Sequence, residues 1–240
     1  MEEEHVRQSI PSKDNYAVPG AIIIAGALIA GAVYFSFGKT PVPSPSIGNK
    51  VEDVGSFEQM AAISARDHIR GNPDAPVKIV EYSDTECPFC KTFQNTMKEI
   101  VQTYNGEVAW VYRHFPIAQL HAKAAKESEA TECAAELGGN QAFWKYLDKV
   151  FETTSSNDSL DPSELPKIAT AMGLDVTTFN TCLSSGKYAE LVKKSVEEAI
   201  KSGALGTPYS VIVTKDGQKV LINGAEPIAM VKAKIDALLK

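Results

Sequence analysis

The spacing of apolar positions changes several times along this chain, and each change predicts a different element. From Ala17 to Gly38 the stretch AVPGAIIIAGALIAGAVYFSFG holds no charged residue, and as a helix it would span roughly 30 Å, about one hydrocarbon core. We therefore expect a tail over 1–16 and a transmembrane anchor over 17–38. Over 39–63 the apolar pattern dissolves. Pro41, Pro43 and Pro45 alternate with small or polar residues, which favours an extended, semi-rigid linker without a core. From Ser64 onward the pattern becomes that of a folded domain. In APVKIVEYSD, Val77, Ile79 and Glu81 fall on one face and Val80 and Tyr82 on the other, the alternation of a buried strand.

Beyond this strand Phe93, Met97, Ile100, Val101 and Tyr104 recur at helical spacing, and GEVAWVYRHFPI then predicts a second strand. A β-α-β unit results. Helices are expected around 121–137, 141–153, 162–171, 176–184 and 187–202, forming a helical insert over about 118–202. TPYSVIVTKDGQKVLING supplies two further strands joined through Asp216-Gly217, and Pro227 opens a helix with Ile228, Val231, Ile235 and Leu238 on one face. The fold class is α/β: one domain over 64–240, with a mixed sheet flanked by helices.

Composition adds limits. A hydrophobic content of 44% against 22% charged residues suits a globular core. With 24 Lys and Arg against 30 Asp and Glu, a net charge of −6 and no run of basic and aromatic residues, a nucleic-acid partner is not expected. The apolar N-terminal run has a second reading as a cleaved signal peptide, since Ala30-Gly31-Ala32 resembles a cleavage site. Its continuation through Val33, Tyr34 and Phe35, and the acidic Glu2, Glu3 and Glu4, favour the anchor. Arg7 and Lys13 before the run nearly balance Lys39 and Lys50 after it, so charge alone does not orient it. The four cysteines favour an oxidising compartment. The domain is thus expected outside the cytoplasm, periplasmic or at the cell surface, on a single-pass anchor.

The chemistry concentrates in DTECPFCKTF, which places Cys87 and Cys90 at the start of a helix. A helix N-terminus offers unpaired N–H groups and partial positive charge, which favour thiolate, and the spacing allows the sulfurs to bridge. Cys87, nearer the terminus, is the expected nucleophile and Cys90 its resolving partner. A zinc site would need further ligands at matching spacing. His114 and His121 form no such pattern with Cys133 or Cys182, so no metal is expected. Inert core thiols are the remaining alternative, and Pro88, suited to a first helical turn, argues against it. Cys133 and Cys182 each fall on an apolar helical face, with Ala130, Ala134 and Leu137 and with Phe179 and Leu183 respectively. A structural disulfide between them is expected in an oxidising compartment, two separate buried thiols being the alternative. His68, His114 and His121 receive no role, and Trp110, Phe143 and Trp144 are expected in the core.

GNPDAPVKIVEYSDTECPFC resembles the strand and active-site motif of DsbA-like thiol-disulfide oxidoreductases of the thioredoxin superfamily. The likeness continues through RHFPI, FWKYLDKVF and GTPYSVIV, covering Arg66 to Lys240. It implies a thioredoxin fold with a helical insertion and a membrane-anchored enzyme that introduces disulfides into secreted or cell-envelope proteins. It also implies that Cys87 attacks, that Cys90 resolves, and that Pro208 is a cis-proline beside the redox pair, with Pro88, Phe89 and Thr207 meeting the substrate. Glu81, six residues before Cys87, falls where the superfamily places a buried carboxyl group that relays the resolving cysteine's proton. The implied partners are reduced or unfolded secreted proteins and a membrane quinone-linked reoxidase of the DsbB or vitamin K epoxide reductase type. No cofactor is implied, and a monomer is expected. Two departures leave the redox direction open: Pro88-Phe89 lacks the histidine that strongly oxidising members often carry, and Thr207 before Pro208 also occurs in isomerase-type relatives. A reductase or isomerase kept reduced is therefore a rival reading. From another class, a non-catalytic thioredoxin-fold chaperone or binding module is a second.

Overall fold

The strand Val77–Ser83 (β2) is buried at all but one position because helices cover both faces of the sheet at whose centre it lies. In the computed structural model, which describes residues 56–240, five strands are ordered β1-β3-β2-β4-β5. They are β1 (His68–Arg70), β2, β3 (Val108–His114), β4 (Tyr209–Thr214) and β5 (Lys219–Asn223). β2 runs parallel to β3 and antiparallel to β4; the edge strands β1 and β5 are antiparallel to their neighbours. The parallel step requires a crossover, which is the helix α1 (Pro88–Thr103).

One face of the sheet presents Val77, Ile79, Trp110 and Ile212. Against it pack Phe93, Met97 and Ile100 of α1 and Val231 and Ile235 of the last helix, α6 (Ile228–Leu238). Each such large apolar side chain contributes about 1.5–3 kcal/mol by leaving water. The other face presents Val80, Tyr82 and Val111 to Ala199 of α5 (Ala189–Lys201) and to Met60. The expected linker over 39–63 thus ends earlier. Met60 is buried, and the Ser56 amide donates to the Lys201 carbonyl at 3.0 Å, so the packed body extends back to Ser56. The proline-free end of that segment carries Phe57, Met60 and Ile63, enough apolar surface to pack on the sheet.

Between β3 and β4 lies the helical insert. Its first helix, α2 (Ala124–Thr153), breaks at Gly138 and Gly139, between the two helices expected over 121–137 and 141–153. Gly139 has φ +69°, and a Cβ at Gly138 would come within 2.6 Å of the Ala142 Cβ, so both positions suit glycine. With α3 (Glu164–Ala171) and α4 (Val176–Ser185), α2 encloses a second core of Tyr146, Val150, Leu165, Phe179 and the bonded pair Cys133–Cys182. The expected tail and anchor at 1–38, and the start of the linker, lie outside the described residues. Among the described residues no helix is long and apolar enough to cross a membrane.

Candidate active site

β2 ends at Ser83, and the turn Asp84–Glu86 carries the chain into α1, placing Cys87 as the helix N-cap and Pro88 in its first turn. Neither cysteine of the pair is disulfide-bonded here. Cys87 is 5% exposed and Cys90 fully enclosed, while Pro88 and Phe89 between them stand out in solvent, Phe89 at 65%. The Cys87 Sγ faces the carbonyl oxygen of Thr207 at 3.4 Å, and the Thr207–Pro208 bond is cis. The loop before β4 and the start of α1, 120 residues apart in sequence, thereby meet at one sulfur.

The two thiols are chemically unequal. The Cys87 thiol is lowered to about 6, chiefly by a hydrogen bond from Cys90, which outweighs burial, and further by Thr207 and the N–H groups of Cys90 and Phe89. The Cys90 thiol is pushed well above its ordinary range by burial and then by the adjacent Cys87 and Glu81. Cys87 therefore holds the thiolate while Cys90 keeps its proton.

Glu81 is fully enclosed on the same sheet face, opposite Tyr112 on β3 and Ser210 on β4. Neither of its carboxyl oxygens has a hydrogen-bond partner, and the Ser83 hydroxyl, Trp110 indole N–H and Tyr112 hydroxyl are likewise unpaired. Burial pushes the Glu81 carboxyl up to about 8, with Ser83 and Trp110 pulling the other way. The folded protein thus holds a proton that the unfolded chain releases above about 4.5, so this residue costs stability increasingly as pH rises towards 8. Glu81→Gln is expected to be neutral near pH 4 and to raise unfolding stability by roughly 3 kcal/mol at pH 7, read by urea denaturation at both values. A difference independent of pH would overturn this assignment.

Several residues without an expected role converge here. Asp84, fully buried, accepts from His121 Nδ1 at 2.9 Å and the Ile117 amide at 2.7 Å, and its own amide points at the Cys90 Sγ at 3.5 Å. Glu127 accepts from the Thr85 hydroxyl at 2.6 Å; burial first, then the Glu86 and Asp84 carboxyls, push it up to about 8. Farther away, His68 and His114 share the Glu132 carboxylate, which they hold at about 2 against the effect of burial. These partners lie 18 to 64 residues apart, and no local motif signals them.

Residues 64–236 match the family model described as Thioredoxin. Among solved structures, DsbA2 of Pseudomonas aeruginosa is 28% identical with a TM-score of 0.62, the match covering 74% of this chain and 97% of that one. Wolbachia pipientis alpha-DsbA1, at 22% identity and a TM-score of 0.64 over 76% of this chain and 96% of that one, shares the fold. The Na(+)/H(+) antiporter NhaA 3 of Salinispora tropica is 36% identical over 143 residues, 60% of this chain but 21% of that protein. The Na(+)/H(+) antiporter NhaA 1 of Mycolicibacterium vanbaalenii is 31% identical over 185 residues, 76% of this chain and 29% of that protein. The chain thus spans less than a third of the length of these curated relatives. With its family model running from the segment before β1 into α6, and a DsbA-type neighbour matched over nearly its whole length, this chain belongs to the thioredoxin family, in the DsbA-like form with a helical insert.

Proposed function

We propose that the protein is an extracytoplasmic thiol-disulfide oxidoreductase that passes a Cys87–Cys90 disulfide to reduced, unfolded secreted or envelope polypeptides. The observation that carries this reading is the inequality of the two thiols at the start of α1, one lowered and beside the exposed Pro88 and Phe89, the other raised and fully enclosed. In the oxidised protein a substrate thiolate attacks the Cys87 sulfur. The Cys87–Cys90 bond breaks, the electron pair leaves on Cys90, and Cys90 takes up a proton, for which the protonated Glu81 is the relay. A second substrate thiol, losing its proton, then attacks its own sulfur in the mixed disulfide and expels Cys87 as thiolate. Two electrons have moved from substrate to protein, and a lowered Cys87 is a good leaving group. Exposed Pro88 and Phe89 and the half-buried Thr207 are the surfaces a substrate strand would meet, with Pro208 beside them.

A membrane quinone-linked reoxidase of the DsbB or vitamin K epoxide reductase type would take the electrons back. An anchor over 17–38, with a tail at 1–16, would hold both proteins on one surface and raise their effective concentration. Cation antiport belongs to relatives matched over only a small part of their length and is not carried over. The rival reductase or isomerase reading rests on Pro88-Phe89, which lacks a histidine between the cysteines, and on Thr207 before Pro208. The reduction potential decides between them. Equilibrating residues 56–240 with glutathione buffers and trapping the thiols is expected to yield a value nearer about −120 mV than about −270 mV; the lower value would establish a reductant.

A further inference from the structure

The loop after α2 adopts a backbone that few side chains favour. Ser156, Asn157 and Asp158, three successive non-glycine residues, have φ of 68°, 56° and 66°. Left-handed backbone is sterically unfavourable for most residues with a Cβ; Asn and Asp tolerate it best and then as single residues, so three in succession need surrounding contacts to hold them. Here those contacts come from both sides of the cysteine pair. Glu86, immediately before Cys87 and fully buried, accepts through its carboxyl oxygens from the Thr154 hydroxyl at 2.9 Å and from the Ser159 and Leu160 amides at 3.1 and 3.0 Å. Its carbonyl accepts from the Asn157 amide at 2.7 Å, and its own amide donates to Asp84 Oδ1 at 2.8 Å. Lys91, immediately after Cys90, donates through Nζ to the Thr154 carbonyl. At the far end of the loop Lys123 donates from its amide to Asp158 Oδ1 at 2.7 Å, and from Nζ to the Asp158 carbonyl at 2.6 Å.

The residues flanking CPFC on either side thus grip one buried threonine of the insert, through its hydroxyl and its carbonyl. We propose that the loop at 154–160 is a brace for the redox pair and that Glu86 and Thr154 are positioning residues for Cys87, locking the turn that aims its sulfur at the N–H groups of α1 and at Thr207. The insert then holds the nucleophile in register as well as enlarging the fold. This rests on the reading of Cys87 as nucleophile. The charged and titratable side chains around the grip are Asp84, Glu127, Lys91, Lys123 and Asp158, together with the thiols themselves.

The test compares wild type, Glu86→Gln and Thr154→Val by the pH dependence of Cys87 alkylation with iodoacetamide, with folding followed by circular dichroism. In Glu86→Gln the amide group would face N–H donors, and in Thr154→Val the hydroxyl is lost with little change of shape. The Thr154→Val midpoint is expected to rise by about one pH unit, a tenfold loss of thiolate below the midpoint and about a twofold loss at pH 7. In Glu86→Gln the loss of a neighbouring carboxylate by itself lowers the midpoint, so this variant is expected to rise less than Thr154→Val. An unchanged midpoint in folded Thr154→Val, whatever the loss of melting temperature, would overturn the brace. Wild-type protein that is not alkylated selectively at Cys87 would overturn both the brace and the nucleophile reading, which distinguishes the two failures.

Discussion

Replacing Cys87 with serine is expected to lower the rate of thiol-disulfide exchange by at least about a thousandfold, as loss of a covalent nucleophile does elsewhere, while leaving the fold intact. The separation of the two effects follows from the position. Cys87 is the N-cap of α1 yet makes no capping hydrogen bond, whereas serine is among the preferred N-cap residues. The variant should therefore stay folded, with the N-cap gain offset near pH 7 by loss of the stabilisation that the lowered Cys87 thiol gives the reduced protein above about pH 6. Sulfur supplies what the hydroxyl cannot: a group lowered to about 6 that can leave as an anion. Disulfide formation in a reduced, unfolded polypeptide, followed by thiol trapping, checks the rate. Retention of biological effect in Cys87→Ser would favour the chaperone or binding-module reading over an enzyme. Cys90→Ser has a different outcome: it has no Cys87–Cys90 bond to donate, and a mixed disulfide formed when the Cys87 thiolate attacks a substrate disulfide has no Cys90 thiol to release it and accumulates.

The second large effect is on stability. Removing the Cys133–Cys182 bond by the double substitution Cys133→Ala and Cys182→Ala is expected to cost about 4 kcal/mol, the loop-closure value for a separation of 49 residues. The bond ties α2 to α4 inside the insert's own core, and the cross-link restricts the unfolded chain. Urea denaturation should accordingly show a lower midpoint together with a steeper slope, because the freed chain exposes more surface. A loss below about 1 kcal/mol would mean that the packing of Tyr146, Leu165 and Phe179 holds the insert without the cross-link.

How much was legible in advance depended on distance along the chain. Phe93, Met97 and Ile100 announce α1 because a helix repeats its buried face every three or four residues, and Gly138-Gly139 announces the break in α2 because no side chain suits those positions. CPFC is legible because both thiols and the helix start lie within one turn. β1 was missed. Three residues are too short to establish an alternation, and His68–Arg70 become a strand only through pairing with Trp110–Tyr112 of β3. The histidines carried no role for a related reason: the partner of His121 is Asp84, 37 residues earlier, and His68 and His114 meet on Glu132.

By itself, then, the sequence determined the order of strands and helices from β2 onward, the position of the redox pair at a helix start and the extent of the insert, since periodicity, caps and breakers act between near neighbours. Tertiary structure alone decided what surrounds that pair. The enclosure of Glu81, the approach of Thr207 to the Cys87 sulfur and the grip of Glu86 and Lys91 on Thr154 exist only after the sheet has closed and the insert has packed beside it. Burial and electrostatics depend on everything within a few ångströms in space, and most of what lies that near to Cys87 is remote from it along the chain.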